Sequence, residues 1–408
     1  MKPTLLNLFI LLTLFSACKQ EEKQQTVDLS QELSCKGSSD FYKKLPQLSS
    51  HDTSSEKDSK LSACLVFGCS LNDLPLLIQQ PGEISREKIL ANTFTDEPWL
   101  KDRFGELLDL YPPYLHHMFN YVTAIVISVE AKPSHYNIKH GAIVLDGSSF
   151  WVNDEERATI AEGQDCRVSS LNSSLLEFEL RHGLRVDNDI ISFDSRSLES
   201  IELETARILT HELAHAMDFA FSWRTMNPNF SIYGNSIDGV KSQSVALNRK
   251  SDFSLNNPIL SELAQVTFGA TSKDSDSAVE ISKSLDVHKV ADEFLNSGAV
   301  ALYSFFNEKE DFAMLIESTL MDRYYNLSYD AFGIEKEAKE TDCLKKSIRW
   351  VGKSQQSKPL VQQRAQLAIE AIGLESFASF DDIDSHHGEK LLFTAFEELS
   401  YCDLFPNE

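Results

Sequence analysis

Apolar and polar residues follow two different spacings along this chain. Runs rich in β-branched residues predict buried strands at Thr123–Val129, Gly141–Val152 and Asp189–Phe193. Apolar residues at helical spacing predict helices at Trp99–Leu110, Leu198–Ser222, Leu302–Tyr325 and Leu360–Ile372. Together these elements predict an α+β fold, with a mostly helical C-terminal part.

The composition of successive segments predicts how the chain is organised. An apolar leader covers residues 1–17, and a Gln-, Ser-, Lys- and Glu-rich tether that also bears cysteines covers residues 18–70. The main domain is expected over residues 71–330, with a polar insertion at about 223–299. Residues 331–408 are expected to form a helical C-terminal region.

The first residues have the pattern of an export signal. Lys2 precedes an apolar run from Leu5 to Phe15, and Ser16-Ala17-Cys18 follows. The run is too short to cross a bilayer as a stable helix. The cysteine after small residues resembles the lipobox of bacterial lipoproteins. That resemblance implies lipidation of Cys18 and a membrane-anchored protein of the cell envelope, and Lys19 favours the outer membrane.

Charge and cysteine content narrow the class of protein further. The formal net charge of −24 argues against a nucleic-acid partner, because phosphate backbones require clustered Lys and Arg. Besides Cys18 the chain has six cysteines, Cys35, Cys64, Cys69, Cys166, Cys343 and Cys402. An even number in an exported chain predicts disulfides of undetermined pairing.

The sequence His211-Glu212-Leu213-Ala214-His215 carries the candidate chemistry. Residues four apart lie on one face of a helix, so the two imidazoles can bind one zinc ion. Glu212 lies about 100° around the helix, where a carboxylate can take a proton from the attacking water and pass it to the leaving amine. An apolar stripe on the other side (Leu209, Leu213, Ala216, Ala220) is expected to pack into the core.

A third zinc ligand is expected from a later helix. Asp218 and Phe221 stand where metzincins have Gly and a ligand residue, which excludes that subclass. The segment Tyr303–Met314 precedes and enters a strongly apolar helix that should be buried. An ionised glutamate in such a helix needs a partner, and a zinc ion is one.

These two windows resemble the lethal-factor-type gluzincins, which carry HExxHxxD and then a helix with an E-(D/F)-F-A-E core. The matching residues are His211–Asp218 and Asn307–Ala313. The resemblance implies a zincin-like domain in which Glu310 is the third zinc ligand and Tyr303 hydrogen-bonds the oxyanion. It also implies that Asp218 holds a ligand histidine in the right tautomer.

The chain departs from the family pattern in two ways. Met314 replaces a second glutamate, whose contact is then absent or supplied by Glu317. The interval between His215 and Glu310 is long, which requires residues 223–299 to loop out. Asp311, Glu308 and Glu317 remain alternative third ligands. The strand expected at 141–152 is the candidate edge strand beside the cleft.

The leading expectation is therefore a zinc-dependent peptidase that acts on a peptide or protein substrate. An alternative is a catalytically inactive zinc-binding surface lipoprotein that acts as a binding or scaffolding module. Closed structural sites have four protein ligands, whereas catalytic sites leave a position for water. A third hypothesis is a binding module whose insertion recognises a partner.

Overall fold

A computed structural model describes most of the chain from Leu74 onward. The described residues are 74–138, 141–161, 176–186, 189–191, 196–221, 244–253, 255–268, 280–281, 283–336, 346–378, 390–392 and 402. The expected signal peptide, Cys18 and the tether lie outside these residues. Cys402 is disulfide-bonded, and the other cysteines lie outside the described residues.

The described strands belong to two sheets. In chain order they are β1 (Thr93–Thr95), β2 (Ile125–Ser128), β3 (His135–Asn137), β4 (Ala142–Asp146), β5 (Phe178–Val186), β6 (Asp189–Ile190), β7 (Leu327–Lys336), β8 (Lys346–Gly352) and β9 (Lys390–Leu392).

The described α-helices range from one turn to six. In chain order they are α1 (Arg86–Leu90), α2 (Pro98–Leu108), α3 (Pro113–Met118), α4 (Asp154–Arg157), α5 (Leu198–Ala220), α6 (Val245–Asn248), α7 (Lys250–Phe253), α8 (Pro258–Phe268), α9 (Val287–Leu295), α10 (Glu308–Tyr325) and α11 (Pro359–Ala371).

The first sheet has the order β1-β2-β4-β3. The strands β1, β2 and β4 run parallel, and β3 pairs with β4 antiparallel. The expectation that the segment at 141–152 forms the edge strand is wrong, because β4 has a partner on each side. Among the described strands the edges are β1 and β3, and Tyr136 of β3 stacks on Phe219 of α5 with ring centroids 6.2 Å apart. The first four residues of β4, Ala142–Leu145, are apolar and buried, as in a strand covered on both faces, and such a run does not show which strands pair with it.

The second sheet is antiparallel, with the order β6-β5-β7-β8-β9. Strand β7 pairs with β5 along nine residues, from Leu327 opposite Val186 to Glu335 opposite Phe178. The expected domain boundary at residue 330 therefore falls inside a strand. The expectation of a mostly helical C-terminal region is also wrong in its described part, which contributes β7, β8 and β9 besides α11. Long-range pairing with β5 decides the conformation of this segment.

Helices α5 and α10 pack against each other in the core, and both have clear local start signals. The Ser197 hydroxyl caps α5 by accepting from the Ser200 N–H. The expected apolar stripe of α5 is buried throughout (Leu209, Leu213, Ala216, Ala220). Asn307 caps α10, and Asn326, at φ 51°, ends it in the left-handed region. The sequence predicted both helices, and Asn307 separates α10 from the 3-10 helix Leu302–Phe305.

The described part of the expected insertion packs into the core. Phe253 of α7 is fully buried and meets Phe312 of α10 edge-on, with ring centroids 5.2 Å apart. Helices α8 and α9 share a second apolar cluster with β5 and Trp350 of β8. Among the described helices, none combines the length and apolar character needed to cross a bilayer.

Candidate metal centre

Three side chains from α5 and α10 converge on one point. Glu310 Oε2 lies 3.1 Å from His211 Nε2 and 3.2 Å from His215 Nε2. The three donor atoms all lie within 4.8 Å of one another. Helical spacing brings the two imidazoles to one face of α5. The Asn307 cap fixes Glu310 in the first turn of α10 by accepting from its N–H at 3.1 Å.

This donor set fits a zinc ion. Ligands about 2.0–2.1 Å from a tetrahedral zinc are about 3.3 Å apart. The distances from Glu310 Oε2 to the two imidazole nitrogens agree with that value to within a few tenths of an ångström. Two imidazoles and one carboxylate are also the protein ligands of many catalytic zinc sites. The residues present therefore fit a zinc ion in number, type and closeness.

The electrostatics of the three donors also favour a bound cation. Burial alone would raise the pKa of Glu310, but the charge and hydrogen bonds of the two histidines hold it well below its usual range. Burial lowers the pKa of His211, but hydrogen bonds to Glu310 and Glu317 outweigh it and raise that pKa to about 10. Without a metal ion, a proton on His211 satisfies these carboxylates. A zinc ion would take the place of that positive charge.

The sequence left open whether Glu317 makes the contact of the missing second glutamate. In the structure Glu317 contacts His211. Its Oε2 lies 2.8 Å from His211 Nδ1, and its Oε1 accepts from the Tyr329 hydroxyl at 2.7 Å and from Arg207 Nη1 at 3.2 Å. Burial would raise the pKa of Glu317, but the Arg207 guanidinium and His211 hold it below its usual value. Burial and the Glu317 charge raise the pKa of Tyr329 well above its usual range, so its hydroxyl stays protonated.

The other acids considered as third ligands have different partners. Asp311 forms a buried ion pair with Arg364 of α11. Glu308 pairs with Lys250 of α7. Because each carboxylate is held by a cation outside the donor cluster, Glu310 is the acid of α10 that faces both histidines.

Glu212 lies beside the donors and is almost fully buried, at 6% exposure. Its negative charge is close enough to contribute to the raised pKa of His211. Its neighbours Leu213 and Ala214 are fully buried, so the helix holds it in a fixed place. Glu212 is thus a buried carboxylate whose charge acts on His211.

Tyr303 stands at the border of the donor cluster. It belongs to the 3-10 helix before α10, and its ring centroid lies 6.0 Å from that of His211. Phe268 meets Tyr303 edge-on at 4.9 Å, and Phe306 stacks on it at 5.9 Å. The backbone of this helix is tied to β5, because the Leu302 N–H donates to His182 Nε2 at 2.9 Å. Tyr303 therefore lies next to His211, one of the three donors.

Asp218 makes hydrogen bonds to other partners than the histidine that was expected. Its carboxylate accepts from the Ser244 hydroxyl at 2.7 Å and from the Ala246 N–H at 2.8 Å. Within the described residues, the hydrogen bonds of Asp218 thus hold the start of α6 against α5 rather than orienting a histidine. The observed carboxylate partner of His211 Nδ1 is Glu317. A carboxylate one turn beyond His215 is adjacent in sequence, but α6 supplies better-placed donors.

Sequence reasoning missed three residues that hold the acids of α10. Arg207 could have been noticed, because it lies one turn before His211 on the same face of α5. Tyr329 and Arg364 carried no such signal. They belong to β7 and α11, and only the tertiary fold brings them to α10.

Comparisons with family models, curated proteins and solved structures found no match to this chain.

Proposed function

We propose that this protein is a zinc-dependent peptidase in which His211, His215 and Glu310 hold the metal. The observation that carries the proposal is the convergence of these three donors at separations suited to tetrahedral zinc. Glu212 is the general base, and Tyr303 is the candidate donor to the oxyanion. The resemblance of the two sequence windows to gluzincins supports the same assignment.

The number and type of donors favour catalysis over a structural role. Three protein donors converge in the described part of the chain, and closed structural zinc sites use four. Two of the donors are imidazoles and one is a carboxylate, whereas structural sites are rich in cysteine. The buried carboxylate of Glu212 beside the donors has no purpose in a purely structural site.

The residues would divide the work of hydrolysis as follows. A zinc ion held here supplies a Lewis acid that lowers the pKa of water to about 7 and polarises a carbonyl. Glu212 accepts a proton from the attacking water and delivers it to the leaving amine. Tyr303 donates its hydroxyl hydrogen to the oxygen that gains negative charge. Glu317 accepts from His211 Nδ1 and keeps its Nε2 directed at the metal.

The decisive experiment measures hydrolysis of a fluorogenic peptide library together with zinc content. Glu212→Gln should lower kcat by about 10²–10⁴-fold while zinc content stays at the wild-type level, because only the proton acceptor is lost. Tyr303→Phe should lower kcat less and also retain zinc. Glu199→Gln, an exposed glutamate in the first turn of α5, is the matched control and should behave as wild type.

The outcomes separate the peptidase from its alternative. If the wild type binds zinc but hydrolyses nothing, the zinc-binding surface lipoprotein becomes the better description. If Glu212→Gln keeps full activity, the assigned general base is wrong. If the wild type binds no zinc, both zinc functions fail.

We further propose that the enzyme is held at the bacterial cell envelope by a lipid on Cys18. The lipobox-like sequence Ser16-Ala17-Cys18 is the support for this location. Incorporation of labelled fatty acid into the wild type but not into Cys18→Ser tests it. Equal labelling of both would contradict it.

A further inference from the structure

The two oxygens of Glu317 face different partners. Oε1 accepts from the Tyr329 hydroxyl at 2.7 Å and from Arg207 Nη1 at 3.2 Å. Oε2 lies 2.8 Å from His211 Nδ1. A carboxylate whose first oxygen is held by two donors cannot rotate freely, so its second oxygen stays directed at the imidazole. The orientation of Glu317 is thus set from outside the metal ligands.

Of the two donors that hold Oε1, Tyr329 is the better placed to fix it. Tyr329 is only 2% exposed, and its strand β7 is held between β5 and β8. The side chain of Arg207 is 31% exposed and shares α5 with His211. The Tyr329 bond is also the shorter one. Through this bond β7 of the second sheet reaches Glu317 and, by way of Glu317, His211.

We propose that Tyr329 is a positioning residue for the metal: by holding Oε1 of Glu317 it directs Oε2 at His211 Nδ1, which leaves His211 Nε2 facing the ion. This inference rests on the proposed zinc function. An ionised carboxylate only accepts hydrogen bonds, so His211 Nδ1 must carry the hydrogen. The lone pair of Nε2 is then available to the metal, and the ring is held in the direction of Glu310 and His215.

The test is the zinc affinity of the full-length chain, measured by competition with a chromophoric chelator. Tyr329→Phe removes one hydroxyl and should weaken zinc binding by about 10-fold, at the lower end of the range for lost outer partners of a metal ligand. Tyr111→Phe is the matched control. Its buried hydroxyl donates to Thr205 of the same helix α5 at 2.7 Å, but that bond does not reach Glu317. It should lose similar stability and keep the wild-type zinc affinity.

A double-mutant cycle identifies the route of the effect. Glu317→Gln should weaken zinc binding by about 10–100-fold. An amide has one acceptor oxygen, which cannot serve both His211 and Tyr329. Tyr329→Phe should therefore cause no further loss in the Glu317→Gln background. An equal loss in both backgrounds would mean that Tyr329 does not act through Glu317, and would overturn the inference.

Two further outcomes separate this inference from the proposed function. Wild-type zinc affinity in Tyr329→Phe would overturn the inference alone. No zinc binding by the wild type would overturn the zinc function as well. If Tyr329→Phe does not fold, Arg207→Gln removes the other donor to Oε1 from a partly exposed position. It should give a smaller loss of zinc affinity that also vanishes in the Glu317→Gln background, and an equal loss in both backgrounds would overturn the inference.

Discussion

Two adjacent carboxylates in the first turn of α10, Glu310 and Asp311, face different kinds of partner. Glu310 faces His211 and His215, whose positive charge depends on a proton. Asp311 is 1% exposed and faces Arg364, a permanent cation that also donates to the carbonyls of Gly298 and Phe253 at 2.7 Å each. Both carboxylates are held at the same helix end, about 100° apart around the axis.

The difference teaches how a fold separates an acid held in an ion pair from one that is proposed to bind a metal. The guanidinium of Arg364 remains charged at any physiological pH, so Asp311 has no need of another cation. The imidazoles next to Glu310 can lose their protons and then offer lone pairs beside a carboxylate. On the proposed zinc function, the charge of the partner, rather than burial or sequence position, decides which acid can bind zinc.

The largest expected effect is the loss of zinc on changing Glu310. Wild-type protein should hold about one zinc per chain, the occupancy of a single tetrahedral site. In Glu310→Ala the affinity should fall by more than the roughly 10–100-fold that loss of an outer partner costs, because a ligand itself is removed. Metal analysis after dialysis checks this.

Glu308→Ala is the matched control for Glu310→Ala. It removes an acid from the same turn whose partner is Lys250, and it should retain zinc. Equal zinc content in both variants would show that Glu310 is not the third ligand.

The second largest effect is a loss of stability when the ion pair between Asp311 and Arg364 is broken. Arg364→Leu leaves Asp311 buried without its cation and should lower the free energy of unfolding by about 3–5 kcal/mol. Denaturant titration measures the loss, and the folded fraction should still bind zinc. The double variant Arg364→Leu with Asp311→Leu should recover part of the stability, since neither charge is then buried alone. A double variant less stable than the single one would contradict this account of the pair.

The smallest effect is a pH dependence of the metal-free protein. The pKa of His211 is about 10 in the folded chain and about 6.5 when unfolded. Because the pKa is higher in the folded chain, protonated His211 stabilises the folded state. This contribution is complete below pH 6.5 and is lost as the pH rises through about 10. The free energy of unfolding, measured with a chelator present to remove metal, should therefore decline between about pH 6.5 and about pH 10. The decline should be smaller in His211→Gln, and an identical slope would show that His211 is not the titrating group.

Local sequence signals predicted the elements that carry the site. The apolar stripe of α5 and the cap at Ser197 are properties of residues close in sequence, and the observed helix ends within two residues of the predicted end. The two imidazoles follow from helical spacing alone. Glu310 and Tyr303 were placed by resemblance to a known pattern, and both lie at the donor cluster.

Local sequence patterns did not predict most strands of the second sheet. Strands β5 and β7 are nine and ten residues long, but each depends on the other for its hydrogen bonds. Charged residues such as Arg181 and Arg185 interrupt the apolar pattern of β5, and Asp330 interrupts that of β7. Arg185 and Asp330 pair across these strands at 2.9 Å. A pattern that becomes favourable only after pairing cannot be recognised one strand at a time.

The sequence by itself determined the α+β class and the helix with His211, Glu212 and His215 on one side. These depend on spacing, capping and periodicity within a few residues. The tertiary structure alone decided that Glu310 meets the histidines while Asp311 meets Arg364. It also decided that Glu317 contacts His211 while accepting a hydrogen bond from Tyr329, and that Asp218 accepts hydrogen bonds from the start of α6. Each of these choices depends on which side of a helix faces a distant segment, and packing of the whole chain sets that orientation.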